Sequence, residues 1–350
     1  MMKVSLREAR RRSNPVTNGR LRAPRDRHGA SARLAMTTIV LAVAIAGLPA
    51  HAQSYPDRPV RMIVAFPPGG AADILARIAA QHLTQGLGQQ VVIDNRGGAG
   101  GLIATEIAAR SNPDGYTLFW TSIPHVINPH LYAKVTYDAL RDFTPVIQFV
   151  SVPLMMAAGP SAPGATVKDV IALAKAKPGQ INYGSAGSGS SSHLAMELFK
   201  SMAQIDLTHV PYKGTGPLIT DMLGGQIALT IASAVPLTPQ VKSGKLKGVA
   251  VTGPKRSPAF PDLPAIAETV RGYEVVNWFG IVAPSGTSKA IVSRVNSELN
   301  KALQSPALVK TLASQTADAV GGTPEDFGKV IRADYAKWAK VVKQSGARVD

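Results

Sequence analysis

The chain has 350 residues, 45% of them hydrophobic and 17% charged, with no cysteine and a formal net charge of +16. That length exceeds one ordinary compact domain and suits two lobes, while the missing cysteines exclude a disulfide framework, a thiolate nucleophile and a cysteine metal site. Ten Lys/Arg against two acids in residues 1–52 account for half of the charge; the +8 left over is ordinary for a soluble chain. With aromatics at 5% and not interleaved with basic residues, it gives no platform for nucleic acid.

Residues 1–52 read as an export signal peptide. A basic stretch ends at Arg33, "LAMTTIVLAVAIAGLP" supplies an apolar core, and small residues at Ala50 and Ala52 predict cleavage before Gln53. The apolar run is short for a membrane span; the competing reading is an uncleaved anchor.

Beyond Gln53, short Val- and Ile-rich runs alternate with helical patterns, as βαβ units do. The expected strands are "VRMIVAF", "QQVVIDN", "YTLFWT", "TPVIQFV" and "LMMAA", then "INYGS", "LTHVPY", "IALTIA", "KGVAVT" and "YEVVNWFGIVA". One expected helix face carries Ala71, Ile74, Leu75 and Ile78; another carries Ala195, Leu198, Phe199 and Met202. The last 65 residues read as purely helical. No linker divides the chain, so "VIQFVSVPLMMAAG" and "YEVVNWFGIVAPSG" are expected to cross between lobes. The expected class is α/β, two lobes that are each a mixed sheet flanked by helices. The first comprises 53–152 and 278–350, the second 153–277.

Two loops stand out. In "FPPGGAADI", Pro67 and Pro68 forbid helix until Gly69, and Gly69 and Gly70 let the backbone turn with little side chain over it. The first helical N–H groups lack intrahelical acceptors and carry the positive end of the dipole. A carboxylate is their natural partner, at the carboxyl ends of the strands where open α/β sheets bind ligands. The same spacing equally fits a plain turn with Asp73 capping the helix. "NYGSAGSGSSSHLAMEL" repeats the strand, small-residue loop and helix, adding the hydroxyls of Ser185, Ser188, Ser190, Ser191 and Ser192 beside His193. A hydroxyl can donate to a carboxylate without adding charge; it can equally cap the helix. Two such loops in separate lobes would close on one small anion, using main-chain amides and no cationic side chain.

Other constellations are weak. "NRGGAGGLIATEIAAR" lacks the G-x-G-x-x-G register of a dinucleotide site, and no phosphate loop occurs. There is no G-x-S-x-G elbow, no H-E-x-x-H and no convincing acid/base pair. His125 and His130, five apart, are a poor metal pattern. No catalytic residue, metal or cofactor is expected.

The ordered series "YPDRPVRMIVAFPPGGAADILAR", "VVIDNRGGAGG", "NPDGYTLFW", "KPGQINYGSAGSGSSSHLAMELF", "HVPYKGTGPLITDMLGGQI" and "WFGIVAPSGTSKAIVSRVN" resembles the extracytoplasmic solute receptors of tripartite tricarboxylate transporters, often called Bug receptors. The resemblance spans essentially all of the chain after the signal. It implies a two-lobed periplasmic-binding-protein fold (type II) with lobes joined by two crossing strands, no enzymatic activity, and a hinge that closes on a small organic acid in the periplasm. It implies a carboxylate held by backbone groups and ordered water at a first loop of Phe66, Pro68, Gly69, Gly70, Ala71 and Ala72. A second loop of Ser185, Gly187, Ser188, Ser191, Ser192 and His193 would meet the ligand from the other lobe, with Ser122 and Trp278 near the cleft. It further implies a monomer that docks on two integral-membrane transporter subunits. Rival readings are a ligand-presenting partner of a membrane kinase and a secreted serine hydrolase. The chain departs from its relatives at Ala232 and Ser233, where an acidic or amide pair is common. With no acid there to face a ligand ammonium, a non-amino carboxylate is expected.

Overall fold

A computed structural model describes residues 55–162, 166–257 and 259–345; the expected signal peptide lies outside them. Ten strands form one connected system in which two sheets share a single long strand. In the first sheet, β1 (Val60–Val64) pairs in parallel with β2 (Val91–Asn95) and with β3 (Thr117–Ser122). Strand β9 (Val276–Pro284) then runs antiparallel between β3 and β4 (Phe143–Ala158). In the second, β5 (Asn182–Ser185) lies parallel to β6 (Thr208–Pro211) and β7 (Leu229–Ser233), and β7 and β8 (Lys247–Val251) pair antiparallel with β4.

The expected runs "TPVIQFV" and "LMMAA" are thus one strand. Up to Pro153, β4 pairs with β9; from Leu154 onward it pairs with β7. The chain crosses back just before β9. There Val275 N–H donates to the Thr252 carbonyl at 2.9 Å, and Thr252 Oγ1 donates to the Val275 carbonyl at 2.7 Å while accepting from Leu154 N at 3.1 Å. Fully buried, Thr252 ties the outgoing strand to the returning one.

Helices cover both sheets, as βαβ order requires. On the first lie α1 (Ala71–Leu87), α2 (Leu102–Ala109) and α3 (Pro124–Leu131), with α8 (Lys289–Leu303), α9 (Pro306–Ser314) and α10 (Pro324–Ser345). Helix α1 buries Ala72, Leu75, Ala76, Ala79 and Leu83, leaving Ile74 and Ile78 at the margin of that face. On the second lie α4 (Val167–Ala176), α5 (Ser191–Ala203), α6 (Thr215–Leu223) and α7 (Ala234–Lys242). Helix α5 buries Leu194, Ala195, Met196 and Phe199, whereas Met202 is exposed, so its face is turned from the one expected. The C-terminal part is not purely helical: β10 (Asp318–Ala319) pairs with β4 at Val150 and Ser151. Two residues are too few to print a period in the sequence.

Besides the packing of α10 on α5, loops of the two sides meet. Pro67 approaches Gly214, Tyr132 Oη donates to the Ser188 carbonyl at 3.1 Å, and Gly100 sits against Ser188 and Gly189. At Gly100, with φ +58°, an added Cβ would lie 2.2 Å from Ser188 O; only glycine permits that crossing of backbones. Among the described residues, no helix is long and apolar enough to cross a membrane.

Candidate functional site

Five strand-to-helix junctions point at the gap between the sheets. A cavity there is lined from the first sheet by Phe66, Pro67, Pro68, Gly70, Ala71, Ala72, Ser122, Asn277 and Phe279. From the second come Ala186 and Ser190–Ser192 at the start of α5, residues 213–217 at the start of α6, and Ala232 and Ser233 before α7. This is the carboxyl end of the parallel strands, where helix openings and loops gather.

Local chemistry builds the first opening. Strand β1 and its extension end at Phe66, the prolines bar helix, and Gly69 turns at φ +84°. Asp73 does cap part of it: Oδ2 accepts from Gly69 N–H at 3.0 Å. Asn95, at the end of β2, donates to the Phe66 carbonyl at 2.9 Å and to Asp73 Oδ1 at 3.1 Å, and Arg77 pairs with Asp73 at 2.9 Å. Burial pushes the Asp73 carboxyl up, but its bonds with Arg77, Gly69 and Asn95 outweigh that and hold it below its usual range. The amides of Gly70, Ala71 and Ala72 meet no acceptor among the described residues. They are the donors left for an anion.

The second opening is knitted to itself. Ser192 Oγ accepts from Ala186 N at 2.8 Å, and Ser185 Oγ accepts from Gly187 N at 3.2 Å and bonds His209 Nε2 at 2.7 Å. Ser190 Oγ donates to the Gly187 carbonyl at 2.6 Å and caps α5 through His193 N at 3.3 Å. His193 Nδ1 accepts from Gly189 N at 3.2 Å, and its ring stacks on His209 at 4.1 Å. Burial drives both imidazoles down to about 4, so both are neutral near pH 7. What remains turned to the cavity is the Ser191 hydroxyl and the Ser191 and Ser192 amides, which meet no acceptor among the described residues.

Of the residues expected at the site, Phe66, Pro68, Gly70, Ala71, Ala72, Ser122, Ser191 and Ser192 line this cavity. Gly69 supplies the turn beneath it. Gly187 and Ser188 line an adjoining cavity instead. Ser185 and His193 lie behind the loop and hold its shape. Trp278 is turned away: its Nε1 donates to Asp334 Oδ2 at 2.7 Å and its ring packs on Phe327. Side chains alternate along a strand, so its neighbours Asn277 and Phe279 face the cavity. Phe279 is backed by Trp120, stacked at 6.1 Å.

Sequence reasoning missed the α6 opening, whereas Ala232 and Ser233 before α7, singled out as facing the ligand, do line the cavity. "PYKGTGP" repeats the turn chemistry of the first loop, with Gly214 at the N-cap and Pro217 in the first turn, and that signal was available. Lys213 departs from the expectation of a site without a cationic side chain: exposed, it is the one charged side chain among the described residues that line the cavity. No acid lines it. With several dipole ends and one ammonium, the cavity favours an anion and offers nothing to neutralise a cation.

Comparison with known proteins agrees. Residues 75–347 match the family model "Tripartite tricarboxylate transporter family receptor". The chain is 38% identical to protein BugT of Bordetella pertussis over 319 residues, covering 90% of this chain and 98% of that protein. The solved structure of R. palustris Rpa4515 with adipate is similar at a TM-score of 0.81 and 38% identity, covering 84% of this chain and all of that one. MatC from Rhodopseudomonas palustris with bound malate is similar at 0.78 and 29%, covering 82% of this chain and all of that one. The fold is the two-lobed periplasmic-binding-protein fold. The chain belongs to the receptor family of tripartite tricarboxylate transporters, whose members bind small carboxylates and work with membrane components of the transporter.

Proposed function

We propose that the protein, once its export signal is removed before Gln53, is a periplasmic receptor, not an enzyme. It captures a small di- or tricarboxylate, or a related organic acid, between a lobe of residues 53–152 with 278–350 and a lobe of residues 153–277. The exchange of pairing partners on β4 between Pro153 and Leu154 supports that boundary. One observation carries the reading: helix openings from both sheets, with open amides, line one cavity that contains a lysine and no acid. The carboxylate sits at the Gly70, Ala71 and Ala72 amides, with Ser122, Ser191 and Ser192 as further donors. Water completes the contact at little cost where it is well ordered. The adipate and malate held by the two solved relatives fit this class. Closed on its ligand, the monomer docks on two integral-membrane subunits.

A thermal-shift screen of the purified chain from Gln53 tests this. A ligand at a hundred times its Kd stabilises by about 2.7 kcal/mol, which for a chain of this size raises Tm by about 4 °C. At least one di- or tricarboxylate is expected to do so. The deaminated acid is expected to bind more tightly than its amino counterpart, succinate ahead of aspartate. If no acid moves Tm, the reading fails.

A further inference from the structure

Lys213 lies in the loop between β6 and α6, and that loop is pinned. Tyr212 N–H donates to the Ser185 carbonyl at 3.0 Å, Tyr212 Oη donates to Asp221 Oδ2 at 2.7 Å, and Gly214 lies against Pro67 of the first sheet. The backbone carrying the lysine is therefore fixed, yet its ammonium makes no ion pair among the described residues. Cations beside the first opening are already taken, Arg77 by Asp73 and Arg96 by Asp94. The cavity described above and the adjoining one share Phe66, Pro67, Ala186, Lys213 and Gly214. Lys213 thus stands at their junction, and among the described residues lining either cavity it alone is charged.

A first carboxylate at Gly70, Ala71 and Ala72 is answered by dipoles alone, equivalent to about half an elementary charge at a helix start. A second carboxylate in the same cleft is repelled by the first and needs a counter-charge of its own, because an unpaired ion taken out of water is costly. Only one lining group supplies it. A lysine ammonium is a compact charge with three donors on a flexible four-carbon stem, suited to meeting the far end of a chain whose near end is held elsewhere. We propose that Lys213 takes the second carboxylate of the ligand and makes the cleft selective for a dianion over a monoanion of the same size. This rests on the organic-acid reading above and adds the residue that sets the charge of the acid.

Calorimetry at about pH 7.5, where both carboxyls are ionised, isolates that charge: succinate, glutarate and adipate are each compared with their own half-amide. The amide keeps the length and size and removes one charge. For the length that fits, the diacid is expected to bind about tenfold more tightly than the half-amide. Lys213→Met keeps much of the stem and removes the ammonium. At an unchanged Tm without ligand, it is expected to weaken the diacid about tenfold and leave the half-amide within about twofold, while Lys213→Arg retains the preference. Stopped-flow measurement is expected to place the loss in the dissociation rate, as a contact requires; a loss confined to association would make the lysine a steering charge and overturn the proposal. Equal binding of diacid and half-amide by the unsubstituted protein also overturns it, with no variant needing to fold, as does an unchanged ratio in Lys213→Met. Each of these results leaves the organic-acid receptor standing; silence from every diacid and every half-amide removes that reading instead.

Discussion

The two loops that open α1 and α5 occupy matching places, at the end of a parallel strand and over the same cavity, yet they dispose of their hydrogen bonds in opposite ways. In the proline–glycine loop one amide, Gly69 N–H, is answered by Asp73, and the next three are left open. In the serine loop, Ser185, Ser190, Ser192 and His193 answer the loop's own backbone, leaving Ser191 turned to the cavity. A hydroxyl beside a backbone amide tends to satisfy it locally. Poverty of side chains therefore leaves amides open, and wealth of serines closes most of them locally.

That contrast can be broken most forcefully at Gly100, where the first side rests on the serine loop. Gly100→Ala puts a methyl 2.2 Å from Ser188 O and 2.8 Å from Gly189 C, at a φ that disfavours any side chain. The loops must part, and affinity for the acid found in the thermal screen is expected to fall about 10- to 100-fold. Calorimetry giving unchanged affinity would show that the contact between the loops is incidental.

Acid should separate the loops next. His193 and His209, with Glu197, Lys200 and Tyr183 around them, are driven by burial to about 4 in the folded protein, against about 6.5 when unfolded. Between those values the unfolded chain binds more protons, so their contribution to stability is full above pH 6.5 and lost as pH falls toward 4. Asp73, depressed in the folded state, contributes above its ordinary carboxylate value and loses that contribution only as pH drops below about 4. Urea midpoints should decline from pH 6.5 to 4, and His209→Gln should flatten that decline. A flat profile over the same range in the unsubstituted protein would contradict the burial of this pair.

The smallest effects sharpen the comparison within the serine loop itself. Ser190→Ala removes the α5 cap and the bond to Gly187, and should cost about 1–2 kcal/mol in urea unfolding. Ser191→Ala removes no hydrogen bond found within the protein and should stay within about 0.5 kcal/mol, weakening acid binding instead. Equal stability losses at the two serines would mean the hydroxyls are not divided as described.

Much of this was legible in the linear chain. The βα alternation, the breaks at Pro67–Pro68 and the two small-residue loops follow from periodicity and turn chemistry, which act over a few residues. The tertiary structure alone decided the rest, because those outcomes depend on partners far along the chain. Leu154 meets Thr252, tying β4 to the returning chain. Ser185 meets His209, which makes that serine part of the wall. Strand pairing on β9 turns Trp278 toward Asp334 and Asn277 toward the cavity. A one-residue step on a strand reverses the face, and nothing local records which face a distant neighbour will cover.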